Sequence, residues 1–205
     1  MFKYPVIVFE GIEASGKSTN LDIVVKYLRK KRKNFVKLRE PGGSSFSERI
    51  RKLMLNKNMR LNKKTDLMLF CAARSENFEK IIKKNYKKKI ILIDRFIDST
   101  IAYQHYGMGV NINFIRSINK YLLKNINVDF TFLNIVNKKN LYERLKKRKS
   151  LNRYDKFNTN FYNKVQRGFL KISKMKKKSY QLIDSNLDIK LNEKLILSKI
   201  DKLIQ

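Results

Sequence analysis

Gly11, Gly16, Lys17 and Ser18 stand at the spacing G-x-x-x-x-G-K-S, the pattern of a P-loop, a backbone turn that wraps phosphate groups. The glycines let the chain from Gly11 through Ile12, Glu13, Ala14, Ser15 and Gly16 curl tightly enough to aim successive N–H groups at phosphate oxygens. A helix opening at Lys17, Ser18 and Thr19 would add the positive end of its dipole. Lys17 then reaches the β- and γ-phosphates, and the Ser18 hydroxyl ligates Mg²⁺. The expectation is an ATP site over Gly11–Thr19.

A second group able to do phosphate chemistry follows an apolar run, as Ile93-Asp94-Arg95. A carboxylate at the carboxyl edge of a sheet lies where open α/β folds bind ligands. Asp94 would share the Mg²⁺ shell with Ser18, and the Arg95 guanidinium would face a phosphate bidentately. The plainer reading of the pair is a strand-terminal salt bridge. A P-loop specifies a nucleotide and leaves the reaction open. A GTPase would be expected to carry an Asn-Lys-x-Asp run, and Asn137-Lys138-Lys139-Asn140 lacks the aspartate.

These groups need a scaffold. Val6–Phe9, Phe35–Leu38, Ile90–Ile93, Phe130–Ile135 and Tyr180–Ile183 are short, nearly continuous apolar runs, as strands buried on both faces require. Between them lie stretches of helical period, such as Leu21, Val24, Val25 and Leu28, or Leu191, Leu195, Ile196 and Ile200. Strand and helix in alternation predict a three-layer α/β fold of the P-loop NTPase type, with a parallel sheet of about five strands flanked by helices. The basic segment Lys146–Lys156 reads as a mobile excursion.

The bulk properties narrow the field further. A chain of 205 residues fits one domain over 1–205. It has no internal repeat and no linker-like stretch. No apolar run approaches the ~20 residues that cross a bilayer, and the N-terminus lacks signal-peptide architecture, so a cytoplasmic protein is expected. One cysteine, Cys71, and one histidine, His105, exclude an internal disulfide and a Cys/His metal site. The net charge of +31 and pI near 10.3 would suit nucleic acid. The lysines are spread along the whole chain instead, as in Lys30-Lys31-Arg32-Lys33 and Lys176-Lys177-Lys178, which predicts a solvated basic surface and no nucleic-acid partner.

Five strings carry a resemblance over most of the chain: Phe9-Glu10-Gly11-Ile12-Glu13, Arg39-Glu40-Pro41-Gly42-Gly43, Leu69-Phe70-Cys71-Ala72-Ala73-Arg74, Asp94-Arg95-Phe96 and Asp98-Ser99-Thr100-Ile101-Ala102-Tyr103-Gln104. In order and spacing the chain resembles the thymidylate kinase family in its bacterial form. The resemblance implies transfer of the ATP γ-phosphoryl group to dTMP, giving dTDP for dTTP synthesis, with Mg²⁺. It implies that Phe70 stacks on the thymine, that Arg74 and Gln104 read its polar edge, and that Ser99 and Thr100 line it. Tyr103 would crowd the 2′ position of the sugar, and Glu13 would lie near the 3′-hydroxyl. Arg95 and Arg51 would hold the acceptor phosphate, with Glu40 and Pro41 shaping the wall. A homodimer packed through helices is also implied.

Arg144, Arg148 and Arg153 fall in a stretch similar to the family's lid, placed at about 144–158 and expected to be helical. With Ala14 and Ser15 inside the P-loop and no extra arginine there, the lid would supply the catalytic cations beside Lys17 and Arg95. The chain departs from the family pattern at Asn152, where an aspartate is usual, and at His105-Tyr106, where a glycine usually follows the glutamine. Two alternatives remain: a kinase for another nucleoside or nucleotide, and a basic nucleic-acid-binding protein that uses ATP as a switch. Locally, Phe70 and Tyr103 could be core residues, and Arg74 could pair with Glu76 or Glu79.

Overall fold

A computed structural model describes residues 4–124 and 126–205. Five strands form one sheet: β1 (Val6–Gly11), β2 (Phe35–Arg39), β3 (Ile90–Asp94), β4 (Phe130–Ile135) and β5 (Tyr180–Asp184). Their order is β2-β3-β1-β4-β5 and every pairing is parallel. All five expected strands are present, each within two residues of the apolar run that announced it.

The helices are α1 (Lys17–Lys30), α2 (Ser45–Leu55), α3 (Lys63–Asn77), the short α4 (Lys83–Asn85), α5 (Ile97–Thr100), α6 (Ile112–Leu123), α7 (Lys138–Lys146), α8 (Thr159–Met175) and α9 (Ile189–Ile204). Alternate strand residues face opposite layers. Ile7, Phe9, Leu92 and Phe132 pack against Leu21, Val24 and Leu28 of α1 and Ile196 and Ile200 of α9. Val6, Val8, Ile91 and Ile93 pack on the other side with Phe78, Ile82 and Leu123. Both sheet faces are therefore covered, which explains the unbroken apolar runs. A third cluster, including Met54, Leu67, Phe70, Tyr103, Tyr154 and Phe169, fills the space beyond the sheet among α2, α3, α6 and α8.

The strand order reverses about β1, with β3 on one side and β4 on the other. That switch point opens a crevice at the carboxyl end of the sheet. Gly11, Asp94, Asn134 and Asp184 all lie in the terminal turns of strands that end there.

One feature lies outside the sequence expectations and one departs from them. Residues Phe78–Ile82 and Ile101–Gly107 are π-helical, so the Tyr103–Gln104 segment carries a wider turn than an α-helix. The lid is helical only at its margins: α7 ends at Lys146, and between there and α8 the single regular piece is a 3₁₀ turn, Tyr154–Lys156. Lys146, Lys147, Arg148 and Lys149 place four like charges in succession, and Asn152 turns its amide on local groups, accepting from the Tyr154 N–H at 2.8 Å and donating to Asp155 at 2.6 Å. Both disfavour continuing the helix.

Candidate functional site

The P-loop leaves β1 at Gly11, whose φ of +140° belongs to glycine, and a Cβ there would lie 2.4 Å from the Asn134 carbonyl oxygen. Gly16, at φ +82°, turns the chain into α1. Lys17 begins that helix and donates from Nζ to the Ile12 carbonyl at 2.8 Å. Burial, then the nearby Arg95 charge, lower its pKa from 10.5 to about 8. The Ser15 hydroxyl is buried with no hydrogen-bond partner. Arg144, in the last turn of α7, donates to the Ala14 carbonyl at 3.1 Å and to the Ser185 carbonyl at 2.6 Å. It ties the lid's first residues to the P-loop and to the loop after β5.

Asp94 ends β3 and accepts from the Ser18 hydroxyl at 2.9 Å. A hydroxyl and a carboxylate are hard oxygen donors of the kind Mg²⁺ takes when phosphates and water complete its shell, so the pair fits that ion. Among the described residues no cluster of three or more His, Cys, Asp or Glu could hold a metal.

Arg95 follows in the left-handed region at φ +65°, a conformation that a bulky residue keeps only when its surroundings hold it there. One guanidinium nitrogen donates to the Gly11 carbonyl at 2.8 Å, the other to Glu13 at 2.9 Å, and the group sits 5.0 Å from the centre of the Tyr103 ring. The Tyr103 hydroxyl donates to the second Glu13 oxygen. Glu13 therefore bridges the arginine that follows β3 and the tyrosine on the π-helical segment.

Behind them Glu10, fully buried in β1, accepts from the Phe96 N–H at 2.9 Å and from the Ser99 N–H at 3.1 Å and hydroxyl. It satisfies N–H groups at the start of α5 from a neighbouring element. Burial outweighs these bonds and raises its pKa from 4.5 to about 7.

One cavity of about 540 Å³ joins these parts, within the usual range for a small-molecule site. Gly16, Ser18, Thr19 and Arg144 line it together with Leu187 from the loop after β5 and Ile189 at the start of α9. Glu40, Pro41, Arg51, Phe70, Ser99 and Tyr103 line it towards α2, α3 and α5. Six cationic side chains (Lys17, Arg39, Arg51, Arg95, Arg144, Arg148) and three carboxylates (Glu13, Glu40, Asp94) face this space. Such an excess attracts polyanions.

Six expected site residues do not line the cavity: Gly11 and Ile12 at the start of the P-loop, and Arg74, Thr100, Gln104 and Arg153. Arg74 is 1% exposed and donates to Glu40 at 2.8 Å, Asn119 at 2.6 Å, the Phe96 carbonyl at 3.1 Å and Thr100 at 2.9 Å. Its partner is thus Glu40, with Glu79 paired to Lys83 instead. Desolvation raises the Glu40 pKa against the pull of that guanidinium. Arg153 donates to the Met54 carbonyl at 2.9 Å, to the Tyr154 hydroxyl at 2.9 Å and to Asp66. It anchors the lid to α2 and α3 while Arg144 and Arg148 face the cavity.

Sequence reasoning passed over Arg39, Tyr154, Ser185, Leu187, Ile189 and Asn192, all of which line the cavity. Arg39, the last residue of β2, pairs with Glu48 at 2.9 Å. Tyr154 packs edge-on against Phe70 and Tyr103, with ring centres 6.3 and 6.0 Å away. His105 and Tyr106 are absent from the cavity wall. Tyr106 lies against Gly168 of α8, where an added Cβ would be 2.5 Å from its ring, so this departure from the family pattern is a helix-packing feature.

The family model for thymidylate kinase matches residues 9–196. The chain is 38% identical to the thymidylate kinase of Thermosipho africanus over 89% of this chain and 90% of that one. It is 37% identical to the thymidylate kinase of Acholeplasma laidlawii over 96% and 98%. The crystal structure of thymidylate kinase from Ehrlichia chaffeensis superposes with a TM-score of 0.79 at 33% identity, covering 97% of this chain and 98% of that one.

Proposed function

Since the chain belongs to the thymidylate kinase family and phosphorylates dTMP to dTDP on the way to dTTP, we propose that its donor is ATP and that the two nucleotides share the cavity at the switch point of the sheet. The observation that carries this reading is the continuity of that cavity from the P-loop to Phe70 and Tyr103. A donor phosphate chain on one side and an acceptor phosphate on the other are then brought in line, which supplies much of the acceleration.

The donor phosphates rest on the amides of residues 11–19, with Lys17 beside the β/γ bridge. Ser18 and Asp94 would hold Mg²⁺, which when bound would neutralise charge on the donor phosphates. Arg95 and Arg51 grip the acceptor phosphate, whose oxygen forms the new bond to the γ-phosphorus as the bond to the β-phosphate oxygen breaks. No general base is required, because the attacking oxygen is already an anion. Arg144 and Arg148 close over the spread negative charge, and Arg153 acts through its anchorage of the lid.

On the acceptor side, Phe70 supplies a stacking face, with Ser99 and Thr100 beside the base. Tyr103 fills the space next to the sugar while Glu13 faces its 3′-hydroxyl. Glu40 and Pro41 form the wall, Glu40 held by Arg74. Gln104, whose Oε1 is buried without a partner, would read the base edge, while Arg74, its guanidinium held by Glu40, Asn119, the Phe96 carbonyl and Thr100, acts behind the wall.

The 1–205 chain works as one kinase domain in the cytoplasm, where ATP and dTMP occur. A homodimer is supported by exposed apolar residues one heptad apart on α2 (Phe46, Leu53) and α6 (Phe114, Tyr121).

A coupled ADP-release assay over a panel of nucleoside monophosphates tests the reading. Mg²⁺-dependent turnover with dTMP, yielding one dTDP per ADP, is expected. ADP release that no monophosphate stimulates would overturn it.

A further inference from the structure

Asp66, one turn before Phe70 on α3, is completely buried and collects donors from two other elements. Gln104 Nε2 donates to its Oδ2 at 2.8 Å from the π-helical segment. The Tyr154 hydroxyl donates to Oδ1 and Oδ2 at 2.8 and 3.0 Å, and Arg153 donates to Oδ1, both from the lid. The Gln104 carbonyl oxygen, Oε1, is also buried and has no hydrogen-bond partner.

The chemistry of the pair leaves one arrangement. A carboxylate whose oxygens already accept from an arginine and a tyrosine hydroxyl serves as an acceptor, so a glutamine amide that touches it must present its NH₂. Oε1 is thereby left as the free end of the amide. An unmatched buried acceptor is costly and calls for a donor. The N3–H of a thymine is such a donor, whereas N3 of a cytosine is an acceptor and would meet Oε1 lone pair to lone pair.

We propose that Asp66 is a specificity-determining positioning residue: by holding the NH₂ of Gln104, it makes that amide present a hydrogen-bond acceptor to the pyrimidine edge and so selects thymine over cytosine. The proposal rests on the reading of Gln104 as the base-reading residue. The same carboxylate joins the lid, through Arg153 and Tyr154, to the helix that carries Phe70.

The test compares kcat/KM for dTMP and dCMP in wild type, Asp66→Asn and Gln104→Leu. Asparagine keeps the size of Asp66 but can donate as well as accept, which frees the Gln104 amide to turn over. Lid closure acts on both acceptors alike, so a merely structural loss at Asp66 lowers both values and leaves their ratio unchanged. The expected result is that the dTMP/dCMP ratio falls by about tenfold or more in both variants, because a site built to read one hydrogen-bonding group discriminates strongly against its absence. A ratio that falls in Gln104→Leu but holds in Asp66→Asn overturns the role of Asp66 and leaves the reading of Gln104 standing. A ratio that holds in Gln104→Leu overturns both. If Asp66→Asn does not fold, the wild-type protein still decides: the Gln104 side-chain NH₂ proton signals, assigned by their loss in Gln104→Leu, should be protected from exchange before dTMP is added and hardly move on its binding. Unprotected signals, or a large shift with dTMP, refute the proposal.

Discussion

Replacing Lys17 by methionine should make the nucleotide-free protein more stable, even though it removes the residue proposed to lie beside the donor phosphates. The ammonium is 6% exposed and its pKa falls from 10.5 to about 8, chiefly by desolvation. At 1.36 kcal/mol per unit, holding the charged form in the folded state at pH 7 costs roughly 3 kcal/mol. The hydrogen bond to the Ile12 carbonyl at 2.8 Å returns about 1 kcal/mol. A side chain of similar length without the charge should therefore gain about 2 kcal/mol. The pH dependence gives the sign independently. Between about 8 and 10.5 the unfolded wild-type chain holds the Lys17 proton more tightly than the folded one, so wild-type stability rises with pH across that window. Urea denaturation without nucleotide, at pH 7 and again near pH 10, should show Lys17→Met ahead at neutral pH and its lead shrinking at the higher pH. ATP affinity should be lost at both. A variant less stable than wild type at pH 7, by a margin that does not change with pH, would refute the reasoning.

Three further outcomes follow from the same geometry. Phe70→Ala should raise the KM for dTMP by about tenfold or more, from lost stacking and buried area, with little change in the KM for ATP; equal effects on both substrates would return Phe70 to the core. Tyr103→Ala opens space beside the sugar and should improve kcat/KM for the ribonucleotide relative to dTMP by about tenfold, and unaltered sugar selectivity would remove that role. Glu10, whose pKa is raised from 4.5 to about 7 by burial, binds a proton more tightly in the folded state, so its contribution to stability falls as pH rises from about 4.5 through 7. Glu10→Gln should therefore gain on wild type over that range, by up to roughly 3 kcal/mol, in denaturation midpoints read from pH 5 to 8; a constant difference would contradict it.

Much of this was legible in the residues for a physical reason. A sheet covered on both faces needs uninterrupted apolar runs, so Val6–Phe9 and Ile90–Ile93 declared themselves, and the close approach of Gly11 to Asn134 demands the glycine that marks the P-loop. Properties that depend on distant partners were not legible. Glu76 and Glu79 are near Arg74 in sequence, yet the fold brings Glu40 to it from the end of β2. A π-turn shifts the hydrogen bonding by one residue without changing composition, so nothing in Ile101–Gly107 announced it. Asp66 is an acidic residue in the first turn of α3, a common feature of helices, and only the packing of the lid and the π-helical segment onto α3 makes it a shared acceptor. The lid arginines were equivalent in sequence. In the fold Arg144 and Arg148 face the cavity while Arg153 is held at the lid's far end.

The proposed reaction requires a single cleft that seats both nucleotides with their phosphates meeting between Lys17 and Arg95. A molecule in which adenosine and thymidine are joined through their 5′ positions by a chain of five phosphates tests that directly by calorimetry. It should bind one per chain with Mg²⁺, more tightly than ATP or dTMP alone, and exclude both. A saturated protein that still takes up either nucleotide would contradict the shared cleft.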